Sequence, residues 1–225
     1  MPRFARGFDV EQAHAWLLRR DRRLAAWMRR LGPLPAPPGW RKTFDPVEAL
    51  ARAILFQQLS GKAASTIVGR VEAAIGSARL HADTLARIDD AGLRACGVSG
   101  NKALALRDLA RREAEGEIPG LRRMAVMDHE AIIQALVPPV RGIGRWTVEM
   151  MLMFRLGRPD ILPLDDLGIR KGAQRVDKAA VMPTPKELAE RGAKWGPYRT
   201  YASLYLWRIA DFSEGTAAKT NRSQD

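Results

Sequence analysis

Between Asp128 and Leu156 the chain reads DHEAIIQALVPPVRGIGRWTVEMMLMFRL, an order of residues that few folds can accommodate. A helix capped by Asp128 has to stop at Pro138-Pro139, because proline lacks the amide hydrogen that a helix needs. Gly142 and Gly144 then flank Ile143 in a turn too tight for side chains, and an apolar helical run follows at once from Trp146 to Leu156. Such a turn leaves backbone N–H groups exposed at a helix N-terminus, where they suit an anion. Further on, Asp165 and Asp166 follow Pro163 and open another helical segment. An anion grip and a pair of carboxylates therefore sit at opposite ends of one helix.

The rest of the chain has helical period as well. From Asp9, a capping pattern with Gln12 leads into one amphipathic helix that carries Trp16, Leu17, Leu24, Trp27, Met28 and Leu31 and ends at Gly32. Residues 32–44 hold Pro33, Pro35, Pro37, Pro38 and Gly39, which forbid a regular helix and mark a crossing segment or a lobe boundary. Asp45-Pro46-Val47-Glu48 is a strong helix start, with Asp45 as N-cap and Glu48 placed to close a capping box. That helix runs into the polar break Gln57-Gln58-Leu59-Ser60, whose plain reading is a capped turn, and a second helix rich in small residues follows. Short helical pieces over 77–98 lead to a helix over NKALALRDLARREAEG, and a final helix rich in Trp and Tyr closes the fold. No stretch alternates apolar and polar residues long enough to argue a strand, so the expected class is all-α. Residues 214–225 are polar and aperiodic and are expected to be a disordered tail.

Composition narrows the partners. A net charge of +12 attracts polyanions over long range and makes nucleic acid the leading partner. The pairs Arg19-Arg20, Arg22-Arg23 and Arg29-Arg30 fit a solvated helix face equally well. One cysteine, Cys96, cannot form an internal disulfide, and no Cys/His spacing suits zinc or an iron-sulfur cluster. No apolar run reaches the roughly 18 residues of a spanning helix, and the first residues lack a signal-peptide core. The expectation is an intracellular, cytoplasmic and nucleoid-associated protein with no membrane contact.

Helix, Gly-Ile-Gly turn and helix together make a helix-hairpin-helix unit, a sequence-neutral device for holding a DNA backbone. Gly142, Ile143 and Gly144 would present backbone groups to phosphate, and Arg145 and Thr147 could add side chains. Four stretches, GIGRWTVEM, PLDDLGIRKG, LRACGVSGNKALALRDLA and WGPYRTYASLYLWR, resemble in order and in kind the 3-methyladenine DNA glycosylase II family of the helix-hairpin-helix glycosylase superfamily. The resemblance spans roughly residues 45–212. It implies a two-lobed helical fold with a DNA cleft between the lobes. Residues 46–158 would form the lobe with the hairpin, and 1–45 would join 159–213 in the other.

Both aspartates are chemically suitable for the reaction that the resemblance implies. Cleaving a base from deoxyribose develops positive charge on the sugar, and a carboxylate at its face lowers the barrier. Capping a helix is the plainer role for either one. The family pattern places the functional carboxylate at Asp166 and leaves Asp165 as a supporting or capping residue. Where strand-cutting relatives carry a Schiff-base lysine this chain has Trp146, which implies a monofunctional enzyme with water as nucleophile.

Trp146 and Trp207 fall at base-pocket positions. Met150 and Leu167 stand where the best-known relative has tyrosines, which implies a less aromatic pocket and a shifted substrate range. Gln58, with Leu59, falls where the wedge that fills the gap left by a flipped base is expected. The backbone carbonyls of Pro138, Val140 and Ile143 match a monovalent-cation site, and no cofactor is required. The implied activity is excision of alkylated purines of the 3-methyladenine and 7-methylguanine type from damaged double-stranded DNA by a monomer. Hypoxanthine or ethenoadenine as substrate is an alternative, and so is a non-catalytic DNA-binding module.

Overall fold

A computed structural model describes residues 6–213; the expected tail, 214–225, lies outside them. The described residues are helical, with no strand among them, in agreement with the all-α reading. The chain divides into two compact units, one over residues 41–155 and one that joins residues 6–40 to the segment after 155. These joins lie a few residues before 45/46 and 158/159, the places read from the sequence.

The unit that contains the N-terminal segment opens with α1 (Val10–Arg20) and α2 (Arg22–Leu31). The sequence pattern predicts a single helix here, and the structure breaks it at Asp21. That residue is extended, with φ −141° and ψ 98°, and its carboxylate accepts hydrogen bonds from the amides of Arg23 at 3.1 Å and Leu24 at 3.2 Å. It is buried, where Trp195 Nε1 donates to it at 2.8 Å and Arg191 forms an ion pair with it. A buried carboxylate has to be paired. These partners are far away in sequence, so helix periodicity carries no sign of them.

The same unit resumes with α11 (Leu167–Asp177), α12 (Pro185–Gly192) and α13 (Arg199–Ala210). The helices between α2 and α11 belong to the other unit and are described below. Leu17, Leu24, Met28, Ile169, Val176, Trp195 and Leu206 are buried in one core. At Gly172 the backbones of α11 and α13 touch, since a Cβ there would lie 2.1 Å from the Leu206 carbonyl oxygen. Tyr201 and Tyr205 are structural. Their rings are buried, and their hydroxyls donate to the carbonyls of Leu34 at 2.9 Å and Gly32 at 2.8 Å, which pins the proline-rich segment.

The second unit contains α3 (Pro46–Phe56), α4 (Gly61–Ile75), α5 (Ala82–Leu85), α6 (Asp90–Ala95), α7 (Gly100–Ala114), α8 (Leu121–Met124), α9 (His129–Leu136) and α10 (Arg145–Phe154). Asp45 caps α3 through the amide of Glu48 at 3.0 Å. The expected capping box does not close. The Glu48 carboxylate instead takes Arg52 Nε at 2.7 Å, a charge-assisted bond stronger than one to a backbone N–H, and the Leu80 amide at 2.9 Å. Leu50, Ile54, Val71, Leu106, Leu136, Val148 and Leu152 are buried among the core residues of this unit.

Candidate functional site

The hairpin forms where the sequence places it. α9 ends at Leu136 and α10 starts at Arg145, with the turn held between them by Ile143, whose side chain is buried and whose amide donates to the Val140 carbonyl at 3.2 Å. Gly142 adopts φ +75°, a left-handed conformation that costs glycine little, and any Cβ there would come within 3.0 Å of Ala105 on α7. Gly144 is the N-cap of α10 and has no side chain to cap it. The N-terminus of α10 therefore keeps the partial positive charge that favours a phosphate.

Arg145 is engaged differently from a cation kept for phosphate. Its guanidinium donates to both oxygens of Glu130, at 2.8 and 2.9 Å, and to Glu149 at 3.0 Å. The pairing holds the Glu130 carboxyl below its ordinary value. Thr147, in the first turn of α10, lines a pocket.

That pocket, of about 620 Å³, opens between α3 and α10 within the 41–155 unit. It brings together Trp146, Thr147 and Met150 from α10 with Gln58 and Leu59 from the loop after α3. Phe56, Met151 and Phe154 complete an apolar lining, and Glu48, Arg52 and Arg155 supply charge at its wall. Trp146 is half exposed, an unusual state for a ring of that size. Phe56, Met151 and Phe154 were missed from the sequence. The signal available was Phe56 next to the polar Gln57-Gln58, a large apolar residue at the end of its helix.

Gln58 has φ +56°, a region that L side chains seldom adopt, and both it and Leu59 are exposed. The loop that presents them is tied on three sides. Lys102 Nζ donates to the carbonyls of Leu55 at 2.8 Å and Gln57 at 2.7 Å. Gln57 Nε2 donates to the Gly142 carbonyl at 2.8 Å, and Ser60 Oγ accepts from the Ala63 amide at 3.3 Å.

Asp166, Leu167 and Trp207 lie in the other unit. Asp166 is the N-cap of α11, and its Oδ1 accepts from the Ile169 amide at 2.8 Å and from Trp207 Nε1 at 2.8 Å. Gly168 makes room for this: a Cβ there would meet Trp207 Cδ1 at 2.8 Å and Asp166 Oδ1 at 3.2 Å. Asp165 is exposed, and Leu167 is 65% exposed beside the Asp166 carboxylate. The capping role weighed from the sequence is thus real for Asp166, and it comes with a second, long-range donor that a plain cap does not need.

The carbonyls of Pro138, Val140 and Ile143 are neutral oxygen donors of the kind a hard cation takes. The Val140 oxygen accepts from the Ile143 amide at 3.2 Å and, as a carbonyl, carries a second lone pair. Among the described residues no cluster of His, Cys, Asp or Glu could hold a metal ion, and no helix is long and apolar enough to cross a membrane.

A family model described as HhH-GPD superfamily base excision DNA repair protein matches residues 51–198. DNA-3-methyladenine glycosylase 1 of Schizosaccharomyces pombe is 34% identical over 173 residues, which cover 76% of this chain and 75% of that protein. Among solved structures, a DNA-3-methyladenine glycosidase from Bacillus halodurans superposes with a TM-score of 0.79 at 33% identity, covering 94% of this chain and 93% of that one. A Schizosaccharomyces pombe 3-methyladenine DNA glycosylase in complex with abasic DNA superposes with a TM-score of 0.77 at 31% identity, covering 90% and 98%.

Proposed function

The chain belongs to the HhH-GPD superfamily of base excision DNA repair proteins, and from that premise we propose that it is a monofunctional DNA glycosylase that excises alkylated purines from double-stranded DNA. The observation that carries the reading is the Asp166 carboxylate, locked by the Ile169 amide and by Trp207 Nε1 at the mouth of α11. A plain helix cap has no use for the indole. A carboxylate that has to meet a reacting sugar at a fixed position does.

In this mechanism the hairpin amides and the N-terminus of α10 hold the DNA backbone. The carbonyls of Pro138, Val140 and Ile143 would hold a monovalent cation at that turn. Gln58, supported by Leu59, fills the space left when the damaged nucleotide rotates out, at a cost of a few kcal/mol that is lower for weakened pairs. The glycosidic bond breaks with its electron pair leaving on the base. Asp166 stabilises the positive charge left on the sugar, water adds to C1′, and the proton of that water passes to solvent. Hydrolysis asks for no cofactor.

Trp146, in the place of a Schiff-base lysine, provides no amine for strand cleavage, so the product is an abasic site. Its exposed ring, with Phe56, Phe154, Met150 and Met151, gives the pocket electron-rich and polarisable faces. A cationic alkylated base gains about 0.5–2 kcal/mol from such a surface. Leu167 and, through Asp166, Trp207 are the residues of the other unit that we propose for base and sugar. The protein acts as a monomer on one duplex.

The test is the release of free base from methylated duplex DNA, followed by chromatography, with hypoxanthine and ethenoadenine duplexes in parallel. Release of 3-methyladenine or 7-methylguanine without strand scission is expected. Tight binding with no release from any of these substrates would leave only a DNA-binding module.

A further inference from the structure

One face of α7 touches both the loop that carries Gln58 and the hairpin, and resting on the glycosylase reading, we infer that this face sets the register between wedge and phosphate grip, with Lys102 and Gln57 as positioning residues. Lys102, Ala105 and Asp108 recur at intervals of three, so they share a face of the helix and span about 9 Å along it. Lys102 Nζ caps the C-terminal end of α3 through the carbonyls of Leu55 and Gln57. Ala105 lies under the hairpin, 3.0 Å from where a Cβ on Gly142 would be. Asp108 Oδ2 accepts the Arg141 amide at 2.8 Å, immediately before Gly142. Gln57 closes the circuit by donating from Nε2 to the Gly142 carbonyl at 2.8 Å.

The placement of Lys102 supports a purpose beyond solubility. It lies in the first turn of α7, where the helix dipole disfavours a cation, and it reaches the last turn of α3, where the dipole favours one. Burial pushes its amine below the ordinary lysine range. Gln58 needs this support because its left-handed backbone would relax if the loop were loose. With the loop tied to the hairpin, closing the hairpin on a phosphate places the wedge at a set distance from that phosphate, so that insertion and grip occur as one event.

The register matters only when a base has to be displaced from its pair, and this gives the test. Gln57→Met keeps the length of the side chain and loses the donor; Lys102→Met keeps the stem and loses the ammonium. Single-turnover release is measured for a methylated purine in an ordinary pair and for the same lesion opposite an abasic analogue, where little unpairing cost remains. Gln57→Met is expected to slow release from the paired lesion by about fivefold, the worth of one neutral hydrogen bond. It should stay within about twofold of wild type opposite the abasic analogue, with a melting temperature lowered by no more than a few degrees. Lys102→Met, which loses two bonds, is expected to show the larger version of the same split. Equal losses on both duplexes, or no loss on the paired one, would overturn the register role. Should Lys102→Met fail to fold, Gln57→Met decides alone. Wild-type protein that releases base from neither duplex would refute the glycosylase reading itself, an outcome distinct from any variant effect.

Discussion

Replacing Asp166 by Asn removes a charge and leaves the architecture in place. The carboxylate accepts from the Ile169 amide and from Trp207 Nε1 through Oδ1, each at 2.8 Å. An amide oxygen can accept the same two donors, and Asn caps a helix about as well as Asp. What is lost is the attraction between a full negative charge and the cationic sugar of the transition state. At ~4 Å and an effective dielectric near 20, that attraction is about 4 kcal/mol, or on the order of a thousandfold in rate. In the proposed mechanism the hairpin holds the intact DNA and Asp166 acts on the transition state, so affinity for a lesion-bearing duplex is expected to change by less than about threefold, under 1 kcal/mol. Single-turnover release from methylated duplex DNA, with binding followed by fluorescence anisotropy, measures both quantities. Release by Asp166→Asn within about tenfold of wild type would refute the electrostatic argument, because no misfolding or binding defect would be masking the chemistry.

Trp207→Phe keeps a ring in place and deletes the donor to Asp166; a bond to a charged acceptor is worth about 1.5–3 kcal/mol, so the single-turnover rate should fall at least tenfold with binding unchanged. Arg145→Met breaks the pairs with Glu130 and Glu149 and should lower the melting temperature by a few degrees, about 1 kcal/mol at this size. The log-log slope of DNA affinity against salt should hold constant for that variant, where loss of a true phosphate ligand would change it by about 0.9. Asp21 gives a pH signature. Burial pushes its carboxyl up, but hydrogen bonds from Arg191, Trp195 and the Leu24 amide prevail and bring it down from 3.8 to about 2. A depressed carboxyl stabilises the fold above its unfolded value and loses that contribution as pH falls through the folded one. Roughly 2 kcal/mol should therefore disappear between pH 5 and pH 2 in denaturant titrations, and Asp21→Asn should flatten that part of the profile.

Local chemistry was legible in the sequence where it is local in space. The caps at Asp9, Asp45, Ser60, Asp128 and Asp166 accept from amides two or three residues ahead, and the hairpin is written in Pro138-Pro139 and the two glycines. Features built from distant partners were not legible. The break at Asp21 depends on Arg191 and Trp195, and the Lys102 clamp depends on the carbonyls of Leu55 and Gln57 at the end of α3. Each nevertheless left a trace. Asp21 is a poor helix former among arginines, and Lys102 is a cation at the wrong end of its helix. Such local misfits mark residues whose real partners lie elsewhere in the fold. The pocket was half legible, because Trp146 and Met150 came from the family pattern while Phe56 and Phe154 emerge only when α3 is laid against α10.

Gly168 and Gly172, one turn apart on the face of α11 toward α13, separate two ways of fixing the Asp166 carboxylate. At Gly172 a methyl group would meet backbone, 2.1 Å from the Leu206 carbonyl oxygen, so the helices themselves would have to move apart. At Gly168 it would meet the edge of the Trp207 ring at 2.8 Å and the Asp166 oxygen at 3.2 Å, and a ring can turn where a backbone cannot. Gly172→Ala is therefore expected to destabilise the unit by several kcal/mol, in the range of overpacked cores. Gly168→Ala should cost little stability and reproduce the loss of rate of Trp207→Phe. If Gly168→Ala melts early and works normally once folded, Trp207 serves only the core and Asp166 is positioned by its cap alone. If it folds well and releases base slowly, the indole is what aims the carboxylate, and the close approach of α11 to α13 is what aims the indole.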